Sequence, residues 1–321
     1  VAVYTEVSDE QLAGFVAGYD IGNVLSIKGI AEGVENSNYL LVTDRGPHIL
    51  TLYEKRVDPS DLPFFLGLMN HIAAAGERCP TAIAASNGEV LGELAGRPAA
   101  IITFLQGLSV RRPRREHCAA VGEALARLHL AAADFPLRRE NALSLDGWSA
   151  IADATLAEAD RVANGLAGEV SGELAFLKQH WPGGLKEGVI HGDLFPDNVF
   201  FLGTELSGLI DFYFACNDML AYDIAICLNA WCFELDKSLN VTKAKALLDG
   251  YNAVRPLEPN ELDNLSVLAR GAALRFLLTR LHDWLSVPDG ALVTPKDPLE
   301  YLAKLRFHRG AKNAEAYGFT R

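Results

Sequence analysis

The sequence predicts an α+β protein of two lobes, a small antiparallel sheet with one inserted helix and then a mostly helical lobe. Three observations carry this. Up to Phe104, β-rich runs alternate with Gly-bearing turns. Beyond it, apolar residues recur at helical spacing. A single β-rich hairpin, residues 189–212, interrupts the helices. The boundary is placed between residues 106 and 107, where the pattern changes. With 321 residues, half of them hydrophobic, the chain can bury sizeable cores in both lobes.

The elements follow in order. Ser8 and Gln11 have capping-box spacing, and Leu12, Phe15 and Val16 give residues 8–18 an apolar helical stripe. Residues 24–30, 38–42 and 48–52 read as a three-strand meander. Residues 61–75 are predicted helical, with Leu62, Phe65, Met69 and Ile72 on one face. Residues 82–85 and 90–94 are expected to pair through Asn87-Gly88, and 97–104 to form a further strand. In the second lobe, Cys118, Val121, Leu125 and Leu128 mark a helix over 114–133, and 150–176 is helix-rich. Further helices are predicted over 222–232, 242–251 and 261–285.

Composition narrows the function. Acidic residues outnumber Lys plus Arg by 41 to 29, a net charge of −12, which disfavours nucleic-acid partners. The basic cluster Arg111, Arg112, Arg114 and Arg115 is too short for a nucleic-acid arm and reads as a solvated helix entrance. Five Cys without a paired framework fit a reducing cytoplasm, and no zinc spacing occurs. No signal peptide is evident and no apolar run reaches about 18 residues, so a cytoplasmic protein with no membrane partner is expected.

The run from Val189 to Phe201, with Asp211 after it, carries the chemistry. Asp193, an Asn five residues on at Asn198, and a second Asp after a short hairpin have the spacing of a phosphoryl-transfer loop and metal turn. One carboxylate, Asp193, can orient and deprotonate a hydroxyl. An amide oxygen, Asn198, and a carboxylate, Asp211, can hold Mg²⁺ on the phosphates of ATP. His191 is read as a packed support for the loop. Asp223 is expected to cap the helix that follows it, and Asp218 to brace the loop, through the backbone or His191. The glycine-bearing turn 28–39 can fold over phosphates and offer backbone N–H groups from Gly29, Gly33, Asn36, Ser37 and Asn38. No P-loop motif occurs.

With these residues in hand, the chain resembles the aminoglycoside phosphotransferase and choline kinase superfamily, whose fold is protein-kinase-like. The hairpin 29–38, Leu125-Ala126-Arg127-Leu128-His129, His191-Gly192-Asp193 with Asn198, and Ile210-Asp211-Phe212 occur in the family's order. Among its branches, residues 32–39, 49–54 and 210–218 are most similar to the homoserine kinases. The resemblance implies ATP and Mg²⁺ as cofactors and L-homoserine as acceptor, with adenine against the linker 101–105, Leu105 included. It also calls for a pocket for an ammonium and a carboxylate. Arg275 and Arg280 are candidates for the carboxylate, and Tyr213, Asn217 and Trp231 for its lining. One departure stands out: the family's third-strand Lys or Arg is replaced by Thr51, with Lys28, Lys55 and Arg56 nearby in sequence. Other readings are a kinase for an aminoglycoside, choline or methylthioribose, a silent nucleotide-binding module, and a metal hydrolase.

Overall fold

Ser8 accepts the Gln11 N–H at 3.2 Å and donates its own N–H to the Gln11 side chain at 3.0 Å, so the expected capping box starts α1 (Asp9–Val16). The computed structural model describes residues 5–30, 36–54, 57–286 and 295–320. After α1 come β1 (Val24–Gly29), β2 (Ser37–Thr43) and β3 (Gly46–Leu52), then helix α2 (Leu62–Ala74), then β4 (Gly92–Leu94) and β5 (Arg97–Thr103). The strands form one antiparallel sheet in the order β1-β2-β3-β5-β4. Period-two alternation sorts its residues. Tyr39, Leu41, Leu50, Leu52 and Ile101 pack with Leu12 and Val16 of α1. Asn38, Thr51 and Ala100, which are register partners, take the opposite face.

The strand expected at 82–85 does not form. It is reduced to a bridge between Ala82 and Ile102, because Asn70 of α2 satisfies the Ala82 N–H and carbonyl at 2.8 and 3.3 Å. Ala85 then turns, its N–H donating to the Glu89 carbonyl.

The second lobe runs α3 (Arg115–Ala131), α4 (Leu145–Ala159), α5 (Leu166–His180), β6 (Glu187–Ile190), β7 (Val199–Leu202), β8 (Glu205–Leu209), β9 (Cys216–Met219), α6 (Leu220–Trp231), α7 (Val241–Val254), α8 (Pro259–Ser286) and α9 (Leu299–Gly310). Two elements were not expected, β9 and α9. Cys216-Asn-Asp-Met219 has neither alternation nor β-branched residues, yet it pairs with β6, while β7 and β8 form the expected hairpin. Helices α3 and α7 cross backbone to backbone. A Cβ on Gly122 would lie 2.0 Å from the Leu247 carbonyl oxygen, and one on Gly250 2.3 Å from that of Ala119.

The chain leaves β5 at Thr103, and Leu108 exchanges two hydrogen bonds with Phe201 of β7, both 3.0 Å. The main core is continuous across this junction. Tyr53, Phe65 and Ala100 of the first lobe belong to the same cluster as Leu125, Leu209 and Phe212 of the second. Among the described residues, no helix is long and apolar enough to cross a membrane.

Candidate active site

Strand β6 ends at Ile190, and the turn that follows needs Gly192. Its φ is +74°, and a Cβ there would lie 2.7 Å from the Phe214 carbonyl oxygen. The turn delivers Asp193, half-buried, to the loop before β7. Asn198 Nδ2 donates to the Asp193 carbonyl at 2.8 Å and to its carboxylate at 3.2 Å. That leaves Asn198 Oδ1, the atom suited to a cation, as the other end of the amide. The β7–β8 hairpin then returns the chain, and the Ile210 N–H donates to the Asn198 carbonyl at 3.0 Å. Asp211 follows in the left-handed region at φ 64°, a conformation that Asp tolerates better than most side chains. Solvent reaches its carboxyl, yet protein rings it. Desolvation first, and Asp197 second, push its pKa up to about 6 against the Tyr213 N–H that lowers it. Among the described residues no Lys or Arg pairs with this carboxylate, and it and Asn198 Oδ1 across the hairpin are groups that could hold a cation.

His191 is fully buried, and burial depresses its pKa. Its Nε2 meets the Ile210 carbonyl at 3.0 Å, so Nε2 carries the proton, and Nδ1 accepts the Asp193 N–H at 3.3 Å. The neutral ring therefore ties the Asp193 turn to the segment after β8 that bears Asp211. This is the supporting role expected of it.

Neither Asp218 nor Asp223 takes the role expected of it. Asp223, in the first turn of α6 and fully buried, does not cap the helix. It accepts the His191 N–H at 2.7 Å, the Gly192 N–H at 3.0 Å and His129 Nε2 at 3.2 Å. Asp218 takes the Met219 N–H at 2.7 Å beside the start of α6, and Asn141 Nδ2 at 2.6 Å, and touches neither His191 nor the loop. Behind His129 runs a further chain. Its Nδ1 meets the Tyr251 hydroxyl at 2.7 Å, and Tyr251 accepts Arg255, which pairs with buried Glu261.

Four of the five residues offered as acceptor contacts face elsewhere. Trp231 is buried and its indole N–H donates to the Leu194 carbonyl at 2.7 Å, under the loop. Arg275 is buried, donates to the Gly192 carbonyl at 2.5 Å and stacks on Phe276. Asn217 in β9 staples the Arg139 backbone, accepting its N–H at 2.9 Å. Tyr213 turns toward the sheet, where its hydroxyl lies 3.2 Å from that of Tyr53.

On the nucleotide side, Gly29 ends β1, and Gly33 lies outside the described residues. Asn36 and Ser37 are buried, and their side chains anchor the hairpin instead of reaching over it. Asn36 Oδ1 accepts the Glu54 N–H at 3.3 Å, and Ser37 Oγ donates to the Glu54 carboxylate at 2.7 Å. Glu54, to which no role was assigned from sequence, also takes the Thr5 hydroxyl and pairs with Arg97. Asn38 lies on the cleft face beside Thr51. Ile101 packs toward α1 and is removed from any nucleotide, whereas Leu105 lies at the lobe junction against Gly208 of β8.

A strand-rich lobe joined through a short linker to a helical one, with Asp, Asn and Asp converging at the junction, defines a kinase-like phosphotransferase. The pattern of the phosphotransferase enzyme family matches residues 26–257, and the chain belongs to that family. It is 63% identical over its whole length to a homoserine kinase of Xanthobacter autotrophicus and covers all of it. It is 60% identical to one of Agrobacterium fabrum, covering 99% of that protein. In fold it is similar to the amicoumacin kinase hAmiN solved with AMP-PNP, Ca²⁺ and Ami, with a TM-score of 0.67 at 15% identity over 97% of this chain and 94% of that one. It is likewise similar to a spectinomycin phosphotransferase solved with ADP and spectinomycin, with a TM-score of 0.69 at 14% identity over 97% and 98% of the two chains.

Proposed function

We infer that the chain transfers the γ-phosphoryl group of ATP to the side-chain hydroxyl of L-homoserine, giving O-phospho-L-homoserine for threonine synthesis. One observation carries this reading: the Asp193, Asn198 and Asp211 constellation stands in a chain more than 60% identical, end to end, to homoserine kinases. Asp193 orients the acceptor hydroxyl and takes its proton as the new O–P bond forms and the β–γ bridging bond to ADP breaks. Asn198 Oδ1 and the Asp211 carboxylate are the groups that would hold Mg²⁺. Bound there, the ion supplies positive charge to the phosphate oxygens. Everything else is positioning, since no covalent enzyme intermediate is needed.

The acceptor side of Asp193 is walled by α8 and α9. The Asp193 charge reaches the Tyr301 hydroxyl, which is buried and has no partner among the described residues. Arg280 lies over the Tyr301 ring at 4.5 Å and pairs with Glu300 at 2.7 Å. Burial raises the Glu300 carboxyl, but Lys304 and Arg280 outweigh it and hold the pKa down at about 2. A cation and an anion side by side match the carboxylate and ammonium of an amino acid, and Arg280 remains the candidate for the carboxylate.

The test is steady-state phosphorylation with homoserine, choline and kanamycin as acceptors. Homoserine is expected to be the preferred substrate.

Asp211 gives a separate expectation about stability. Its folded pKa lies above the ordinary 3.8, so the ionised carboxyl costs stability as pH rises past 3.8, and the cost is complete above about 6. Asparagine removes that charge and suits the left-handed backbone. Asp211→Asn is therefore expected to raise the thermal midpoint of the ligand-free protein at neutral pH, while lowering kcat about 10²-fold or more. Scanning calorimetry in EDTA checks the first half, and an unchanged or lower midpoint contradicts it.

A further inference from the structure

Glu54 follows the end of β3 by two residues and is only 9% exposed, so its carboxylate needs partners. Three donors reach it. Oε1 accepts the Ser37 and Thr5 hydroxyls, each at 2.7 Å, and Oε2 pairs with Arg97 Nε at 3.2 Å. The Glu54 N–H donates to Asn36 Oδ1 at 3.3 Å. Ser37 Oγ in turn accepts the Thr5 N–H at 3.1 Å, and the Thr5 carbonyl accepts the Tyr39 hydroxyl at 2.5 Å. One buried carboxylate thus joins the segment before α1, the β1–β2 hairpin and the start of β5.

Ser37 opens β2 and pairs with Leu52, the last residue of β3. The Ile30 N–H donates to the Asn38 carbonyl at 2.8 Å, just past the end of β1. Glu54 therefore lies at the hairpin's end of the sheet, against the arm that returns into β2. Hydrogen bonds draw the Asn36 and Ser37 side chains into the lobe, so what this arm can offer a phosphate is backbone. We propose that Glu54 is a positioning residue for the nucleotide, holding the returning arm through Ser37 and Asn36 where its backbone meets the phosphates. The carboxylate is spent on protein donors, so its part is geometry. Arg97 offsets its charge from β5, on the other side of β3 from the hairpin. The Ser37 bond is charge-assisted, a class roughly twice as strong as hydrogen bonds between neutral groups.

The proposal rests on the reading that ATP lies in this cleft with its phosphates under the hairpin, and its test is made on nucleotide binding. Glu54→Gln, Ser37→Ala and the double variant are compared for affinity toward a non-hydrolysable ATP analogue with Mg²⁺, and toward adenosine, which has no phosphates. KM for ATP, KM for homoserine and the thermal midpoint are measured alongside. Glutamine keeps the size of the side chain but turns an NH₂ group toward Arg97 or toward the two hydroxyls, so it disturbs the contacts without opening a cavity. Each single variant is expected to weaken the analogue about tenfold, the effect of one lost charge-assisted hydrogen bond, and to leave adenosine unchanged. KM for ATP should rise in step while KM for homoserine stays. The double variant should be little worse than either single one, because both break the same link. Unchanged affinity for the analogue in both single variants, equal losses for analogue and adenosine, additive losses, or an effect confined to the thermal midpoint would overturn the proposal. A wild-type protein that bound the analogue but left homoserine unphosphorylated would refute the acceptor assignment, and the loss in Glu54→Gln would still be expected.

Discussion

Asp193→Ala is expected to lower kcat by about 10²–10⁴-fold, the range spanned by a positioned general base, while leaving affinity for ATP and Mg²⁺ near that of the wild type. The separation follows from how Asn198 is held. Its stronger anchor is the Asp193 carbonyl at 2.8 Å, which alanine keeps, while the longer bond to the carboxylate at 3.2 Å is lost. The hairpin bond from Ile210 to Asn198 is untouched, so the pair proposed to hold the cation stays in register. Residual turnover from positioning and electrostatics should remain above the uncatalysed rate. Rapid-quench kinetics with titration of an ATP analogue checks this. Near-normal turnover in the variant would remove Asp193 from the mechanism.

Asp223→Ala should have the largest effect on stability. A helix-capping Asp is worth about 0.5–2 kcal/mol. This carboxylate instead takes two backbone N–H groups and one imidazole N–H in a fully buried setting. Removing it orphans three donors, for an expected loss of about 3–5 kcal/mol. Denaturant midpoints distinguish the two values. Burial raises the Asp223 pKa, but the hydrogen bonds from His129 and from the His191 backbone N–H help to outweigh it, leaving the pKa below the ordinary 3.8. Its contribution is therefore full above that value and is lost as pH falls below it, through the lower folded pKa. Asp223→Ala should flatten the acid limb of the stability curve, and an unaltered acid limb would assign the loss to packing alone.

Much of the site was legible because its residues lie close in sequence and carry chemistry that a bare turn does not need. Asp193, Asn198 and Asp211 fall within one loop and one hairpin, and local spacing brought them together correctly. Asp223 was misread because its sequence neighbours suggest a helix start, while its partners lie 31, 32 and 94 residues away. Trp231, Arg275 and Asn217 were misassigned for a related reason: periodicity shows that a residue is buried on a helix or strand, but not what lies across from it. Glu54 was missed because its partners Thr5, Ser37 and Arg97 come from three separate segments. In the fold, amphipathic periodicity found most of the helices and the meander. Strand β9 escaped because it has no alternation, and the Ala82 strand failed because a side chain from α2 filled its hydrogen bonds. Thr51 shows the limit most clearly. Its identity marked a missing cation, and only the fold shows that its buried hydroxyl donates to Asn38.

The central claim is tested most directly by incubating the purified chain with ATP, Mg²⁺ and L-homoserine, and following ADP release with phosphorus NMR of the product. Choline and kanamycin are run in parallel. Phosphate on the side-chain oxygen of homoserine, with kcat/KM well above that for the other two acceptors, is the predicted result. Equal or better turnover of choline or kanamycin, or ADP release without phosphohomoserine, would contradict it.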